Sequence, residues 1–216
     1  FLVSVSLFTV DLFTGFGYVF SRLVPLLRGL ALLASLSLSA LALVQGLRPP
    51  VVHQYEVQLN GLPDAMDGAV VVGLSDLHIG SLLGQRWLAA RISQVQALQP
   101  DMVVLLGDLF EGHGLPQENL LPVLRGLSAP LGVWAVPGNH EFYGGNASLQ
   151  SLQDAGFHVL RNQWIQLRPG LILAGVDDLT VHRRTNREGD PVAQALAGRP
   201  SGATVLLSHT PWEADK

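Results

Sequence analysis

Ala69-Val70-Val71-Val72-Gly73-Leu74-Ser75-Asp76-Leu77-His78 is the stretch from which the fold reads outward. It opens on a run of apolar residues with three consecutive valines, the pattern expected of a strand buried on both faces. It then breaks into an acid and an imidazole two positions apart. The same arrangement recurs downstream. Met102 to Leu106 is followed by Gly107-Asp108, and Gly132 to Val136 by Pro137-Gly138-Asn139-His140-Glu141. Ala203 to Leu207 is followed by Ser208-His209.

Helical periodicity separates these runs. Gln85 to Leu98 places Leu88, Ile92, Val95 and Leu98 or Gln99 on one stripe, as an amphipathic helix requires. Strands alternating with helices predict an α/β fold, and in open α/β sheets sites gather at the carboxyl ends of the strands. Asp76, His78, Asp108, Asn139, His140 and His209 should therefore converge. Asp, His and Asn together form a borderline-hard donor set suited to Mn, Fe or Zn. The glycines before Asp108 and Asn139 suit places where backbone turns sharply beside a ligand.

The remaining elements read less strongly. Glu118 to Leu127 predicts a helix despite Pro122, and Asn146 predicts the N-cap of a helix closed by Gly156. Phe157 to Leu160 and Leu171 to Gly175 predict further strands, and the alternating polarity of Val51 to Leu59 predicts a half-exposed edge strand.

The sequence has 216 residues, of which 48% are apolar, with a formal net charge of −4. That balance leaves no basic footprint for stable nucleic-acid binding. The absence of cysteine removes disulfides, thiolate nucleophiles and Cys-ligated zinc. The apolar excess lies in residues 1–48, so the chain divides into an N-terminal membrane segment, 1–48, and a globular domain, 49–216. Two transmembrane helices joined by a tight turn bearing Arg22, Pro25 and Arg28 are the simplest account. A single anchor and a signal-like segment are the alternatives. The two arginines of the turn, against Arg48 after the second stretch, favour a cytoplasmic turn and a globular domain outside the cytoplasm. Arg48-Pro49-Pro50 makes a stiff exit from the membrane.

Asp76-Leu77-His78, Gly107-Asp108, Gly138-Asn139-His140-Glu141 and His209 within Val205-Leu206-Leu207-Ser208-His209-Thr210-Pro211 resemble, in order, the signature blocks of the calcineurin-like metallophosphoesterase superfamily. With its N-terminal segment the chain looks like the bacterial membrane-associated branch. The resemblance covers residues 69–212 and implies a four-layer α-β-β-α sandwich anchored in a bacterial inner membrane. It implies hydrolysis of a phosphomonoester or phosphodiester by a hydroxide bridging two divalent metal ions, Mn, Fe or Zn. Asp76 and His78 would bind the first ion, Asn139 and His209 the second, and Asp108 both. His140 would be no ligand but the acid that protonates the leaving oxygen. A lipid-linked or nucleotide phosphoester is the substrate class this suggests. A catalytically silent binding module on the same fold is the alternative. The family also closes with a Gly-His-x-His block that is not in this sequence, which leads us to expect a fragment.

Other polar residues have milder expectations. Asp177 and Asp178, after a predicted strand, suit a structural role or the orientation of a ligand. Glu141 suits fixing the loop after His140. Glu111, His113, Arg183, Arg184 and Arg187 suit solvated loops, with substrate or anion contact as the alternative. Phe142 and Trp212 flank ligand positions and fit either a pocket wall or the core. His53, His158 and His182 carry no pattern.

Overall fold

A computed structural model describes residues 1–80, 83–111, 120–143, 146–185 and 189–212. The chain divides into two compact units, Phe1–Gln54 and Tyr55–Lys216.

The first unit is a helical hairpin of α1, Leu2–Phe13, and α2, Val24–Gly46. Twenty-three residues and no acid make α2 long and apolar enough to cross a membrane; among the described residues it is the one such helix. The twelve residues of α1 fall short of the roughly 20 a span needs. The turn is shorter than the sequence suggests. Pro25 lies in the first turn of α2, where its missing N–H costs nothing. Arg28 is already helical, and its Nε and Nη2 reach Asp11 Oδ1 at 2.8 and 2.6 Å. Ser35, buried between the helices, bonds Ser6 Oγ at 2.8 Å and the Ala31 carbonyl at 2.7 Å. Polar side chains in an apolar hairpin thus find one another, as they must where water is scarce.

Residues 51–59 form no strand. Alternating polarity marks the two faces of an extended chain, but a strand exists only where a neighbour supplies ladder hydrogen bonds. Val51, Tyr55 and Val57 are exposed.

The second unit holds two sheets. The first runs β1, Val71–Leu74; β2, Met102–Leu106; β3, Val133–Val136; and β4, His158–Val159, all parallel and in that order. The second is β5, Gln163–Arg168, antiparallel to β6, Leu171–Gly175, with β7, Ala203–Leu207, parallel to β6. Between these strands lie α3, Gln85–Gln96; α4, Leu121–Leu124; α5, Asn139–Tyr143; α6, Asn146–Asp154; α7, Leu179–Arg184; and α8, Pro191–Leu196.

Side-chain alternation along β2 explains the layers. Val103 and Leu105 face Leu88 and Val95 of α3, Leu124 of α4 and Leu152 of α6. Met102 and Val104 face the other way, meeting Trp134, Leu173 of β6 and Leu207 of β7. Behind the second sheet Val192 and Ala195 of α8 pack with Val176 and Leu179. The result is the four-layer α-β-β-α sandwich that the family resemblance implied. Each fully buried aliphatic side chain adds about 1.5–3 kcal/mol to that packing.

Several local expectations change. β1 is an edge strand rather than one buried on both faces, with Val71 48% exposed, because β2 is its one ladder partner among the described residues. β4 contracts to two residues. The helix expected from Glu118 to Leu127 is described only as α4, with Pro122 in its first turn; residues 112–119 lie outside the described residues. β5 was not foreseen. Asp178 and Asp190 cap α7 and α8, accepting from Val181 and from Val192 and Ala193.

Candidate metal centre

The register Leu74↔Leu105 and Leu106↔Val136 brings the carboxyl ends of β1, β2 and β3 level, so the residues after them fan out along one edge. The first two loops then run side by side. Asp76 N–H donates to the Gly107 carbonyl at 3.2 Å, His78 N–H to Asp108 at 3.0 Å, and Ile79 N–H to Leu109 at 2.9 Å. Along this path Asp76, His78 and Asp108 adopt φ of 55°, 42° and 53°. Left-handed backbone costs a non-glycine residue roughly 1–2 kcal/mol and gathers where surrounding structure enforces it.

The third loop packs directly on the second. A Cβ on Gly107, whose φ is 88°, would lie 2.5 Å from Gly138 Cα and 2.9 Å from His209 Nδ1; one on Gly138 would lie 2.7 Å from Asp108 N. Glycine at both positions lets the two turns touch. Glu141, 2% exposed, ties them together. Its Oε2 accepts the N–H of Asp108 and of Gly138, each at 2.8 Å, and Oε1 accepts that of Leu109 at 3.0 Å. The bond to Gly138 is also the reach-back that satisfies the start of α5. His140 N–H in turn donates to Asp108 Oδ1 at 2.9 Å.

With Oδ1 so engaged, Asp108 presents Oδ2 to three imidazoles. His78, His140 and His209 place Nε2 at 3.7, 4.0 and 3.6 Å from it. Asp76 Oδ1 lies 4.0 Å from His78 Nε2, and its other oxygen is bonded by Ser75 Oγ. His209 is the most informative of the set. Its Nδ1 lies 2.7 Å from the Leu106 carbonyl, which can only accept, so Nδ1 carries the proton. Nε2 is thereby the ring nitrogen turned toward the Asp108 carboxylate, 3.6 Å from Oδ2, and free to offer its lone pair to a cation.

Donor atoms come together in two groups that share Asp108: His78 with His140, and Asp76 with His209. Either group could hold a metal ion. His140, expected as an acid and not a ligand, lies within the first group. Asn139 heads α5 with Nδ2 3.5 Å from the Tyr143 hydroxyl. The His78 and His140 rings meet edge to face at 4.7 Å.

Among the secondary candidates, Asp177 is buried and clamps Arg161 through bonds of 2.8 and 2.7 Å, and its N–H donates to Asn162 Oδ1. Hydrogen bonding to Asp177 raises the Arg161 guanidinium above its ordinary pKa, with burial acting against it. Phe142 lies under Arg161, its ring 5.4 Å away, and Arg183 lies 5.8 Å over Trp212. His113 and Arg187 lie outside the described residues. His158 stacks on Trp134 at the opposite end of the strands, and His182 Nε2 meets the Gly189 carbonyl. Two residues went unnoticed in the sequence. Arg161 pairs with a residue distant in the chain and carries no local signal. Tyr143 stands one helical turn after Asn139 and His140, a spacing legible only once α5 is known.

Known proteins resemble this chain over most of its length. The family model described as calcineurin-like phosphoesterase matches residues 69–215. A transmembrane protein with metallophosphoesterase domain from Bos taurus is 29% identical over 91% of this chain and 47% of its own length. Its namesake from Danio rerio is 32% identical over 86% and 45%. An uncharacterized metallophosphoesterase of Aquifex aeolicus is 34% identical over 74% and 62%. The chain thus spans about half the length of the first two relatives. The matched region contains all four strand-end blocks and the loops that Glu141 joins, and the chain belongs to the calcineurin-like phosphoesterase family.

Proposed function

We propose that the protein hydrolyses a phosphomonoester or phosphodiester at the edge formed by β1, β2, β3 and β7. The observation that carries the reading is Asp108 Oδ2 lying within 4.0 Å of three imidazole nitrogens. Asp76, His78, Asp108, Asn139 and His209 would hold two divalent ions. Bound there, the ions supply an activated water and neutralise the phosphate oxygens. The chain's own residues do the rest. Asp108, with two oxygens and its Oδ1 anchored by His140 N–H, would offer negative charge to both ions. His209 is fixed in one tautomer by Leu106. His140, about one-third exposed at its side chain, would hand a proton to the departing oxygen. Asp76, exposed at its side chain, accepts a hydrogen bond from Ser75 Oγ.

Residues 1–48 are proposed as the membrane segment and residues 49–216 as the catalytic domain. The length and composition of α2 support anchoring, as do the transmembrane relatives from Bos taurus and Danio rerio. A substrate that is lipid-linked, or a nucleotide, fits such a location.

The test is turnover of a chromogenic monoester and diester by the full-length protein with Mn²⁺, beside Asp108→Asn and His140→Ala. Loss of more than about a hundredfold in both variants is expected. Unchanged turnover in Asp108→Asn would refute the site. Metal binding without any turnover in the native protein would favour a silent binding module.

A further inference from the structure

One side of the centre is bordered by cations and aromatic rings. Tyr143 packs edge-on to His140, with ring centroids 5.3 Å apart, and is 45% exposed. Its hydroxyl lies 3.5 Å from Asn139 Nδ2 and 3.5 Å from Arg184 Nη1. The phenol therefore joins the candidate centre to the last turn of α7. Beside Arg184, Arg183 lies over Trp212, itself 53% exposed and three residues past His209.

The two nearby kinds of arginine differ in what they face. Arg161 spends its charge on Asp177 in a two-bond clamp. Arg184 meets no carboxylate among the described residues; its partner there is a neutral hydroxyl. Attraction of cations to a helix C-terminus explains basic residues in the last turn of α7. It does not explain why Arg184 is directed at a tyrosine that touches His140. An exposed guanidinium so directed is suited to a planar, two-oxygen acceptor brought by a ligand.

We infer that Arg184, positioned by Tyr143, is a specificity-determining residue that takes a second phosphate on the non-scissile arm of the phosphoester. The inference rests on the phosphoesterase reading above. With the scissile phosphate at Asp108 and the leaving oxygen at His140, the arm retained on phosphorus would run past Tyr143 to Arg184. Trp212 and Arg183 extend the same wall. The second phosphate could belong to a soluble bisphosphate or to a phosphorylated lipid headgroup.

The experiment uses the full chain in detergent with Mn²⁺ and two diesters of 4-nitrophenol. One carries a plain ethyl arm, the other an ethyl arm ending in phosphate. The expected result is a kcat/KM about tenfold or more higher for the phosphorylated arm, the scale of a charge-assisted contact. Arg184→Gln brings the ratio of the two close to one, mainly through KM, and Arg184→Lys leaves an intermediate ratio. Because the ratio is internal to each variant, partial loss of folded protein cancels. Binding of ethyl phosphate and of ethylene glycol bisphosphate is measured in parallel by calorimetry, with the same ordering expected. An equal ratio in wild type and Arg184→Gln overturns the inference even where both diesters turn over. Failure of both diesters to turn over, with bisphosphate still preferred by Arg184, overturns the hydrolase reading instead. A diacylglycerol-borne version of the phosphorylated arm in mixed micelles separates the two sources: a higher kcat/KM than the soluble arm assigns a lipid headgroup, and equal values assign a soluble ligand.

Discussion

Removing the Glu141 carboxylate should damage the protein more than removing any exposed acid of the site. Three buried N–H groups, those of Asp108, Leu109 and Gly138, donate to it at 2.8–3.0 Å. Stranding a buried donor costs about 1–3 kcal/mol. Glu141→Ala therefore loses at least about 3 kcal/mol, out of the 5–15 kcal/mol typical of a whole domain. At about 2–4 °C per kcal/mol for a protein of this size, the melting temperature falls by roughly 6–12 °C. Glu141→Gln separates the two oxygens. With its amide oxygen at the Oε2 position, the bonds to Asp108 and Gly138 survive, while its NH₂ opposes the N–H of Leu109. About half the alanine loss is expected. A competing argument gives the opposite sign, since Glu141 is a third carboxylate close to Asp108 and removing it relieves repulsion. Differential scanning fluorimetry on the full chain in detergent decides between them. Both variants melting within about 2 °C of wild type, or above it, would refute the role assigned to Glu141.

Alanine at Gly107 should destabilise far more than alanine at Gly156. Both glycines have φ near 90°, but a Cβ at Gly156 meets open space whereas at Gly107 it strikes Gly138 and His209. Gly156→Ala should cost about 1 kcal/mol and Gly107→Ala several, by the same melting assay. Leu106 cannot be altered at its carbonyl, so the tautomer argument is tested at the ring: His209→Gln should weaken Mn²⁺ binding about tenfold to a hundredfold in calorimetry, with EDTA abolishing any turnover of wild type and Mn²⁺ restoring it. Asp178→Ala removes the cap on Val181 N–H and should lower stability by about 1 kcal/mol without changing metal affinity.

The parallel sheet was legible where burial is simple. β2 and β3 are apolar on both faces because helices cover one and the second sheet covers the other. β1 carries the same valines yet sits at an edge, and composition does not say how many neighbours a strand has. β5 escaped notice because Gln163, Gln166 and Arg168 break its alternation, and a register shift falls between the last two. Residues 51–59 show the converse, alternation without pairing. At the site, identity and order pointed to Asp76, His78, Asp108, Asn139, His140 and His209 as neighbours. Nothing in an aspartate or histidine announces a left-handed backbone, and the reach of Glu141 across two loops exists only in three dimensions.

That left-handed backbone bears on what holds the site in shape. Asp76, His78 and Asp108 each sit where a side chain is disfavoured, together by about 3–6 kcal/mol. Either the protein or a bound cation must offset that cost. The backbone bonds from Asp76, His78 and Ile79 to the second loop, and the three bonds accepted by Glu141, are all made by the chain itself. Their sum is of the same size as the strain. The candidate donor atoms are therefore held by bonds the chain makes itself, and ion binding would not need to supply the ordering of the loops. The consequence is measurable in the Glu141 variants. If the chain holds the loops, the melting deficit of Glu141→Ala is nearly the same with and without Mn²⁺, apart from the shift due to its reduced affinity. If the ion holds them, saturating Mn²⁺ erases the deficit, and the order of cause argued from the backbone is reversed.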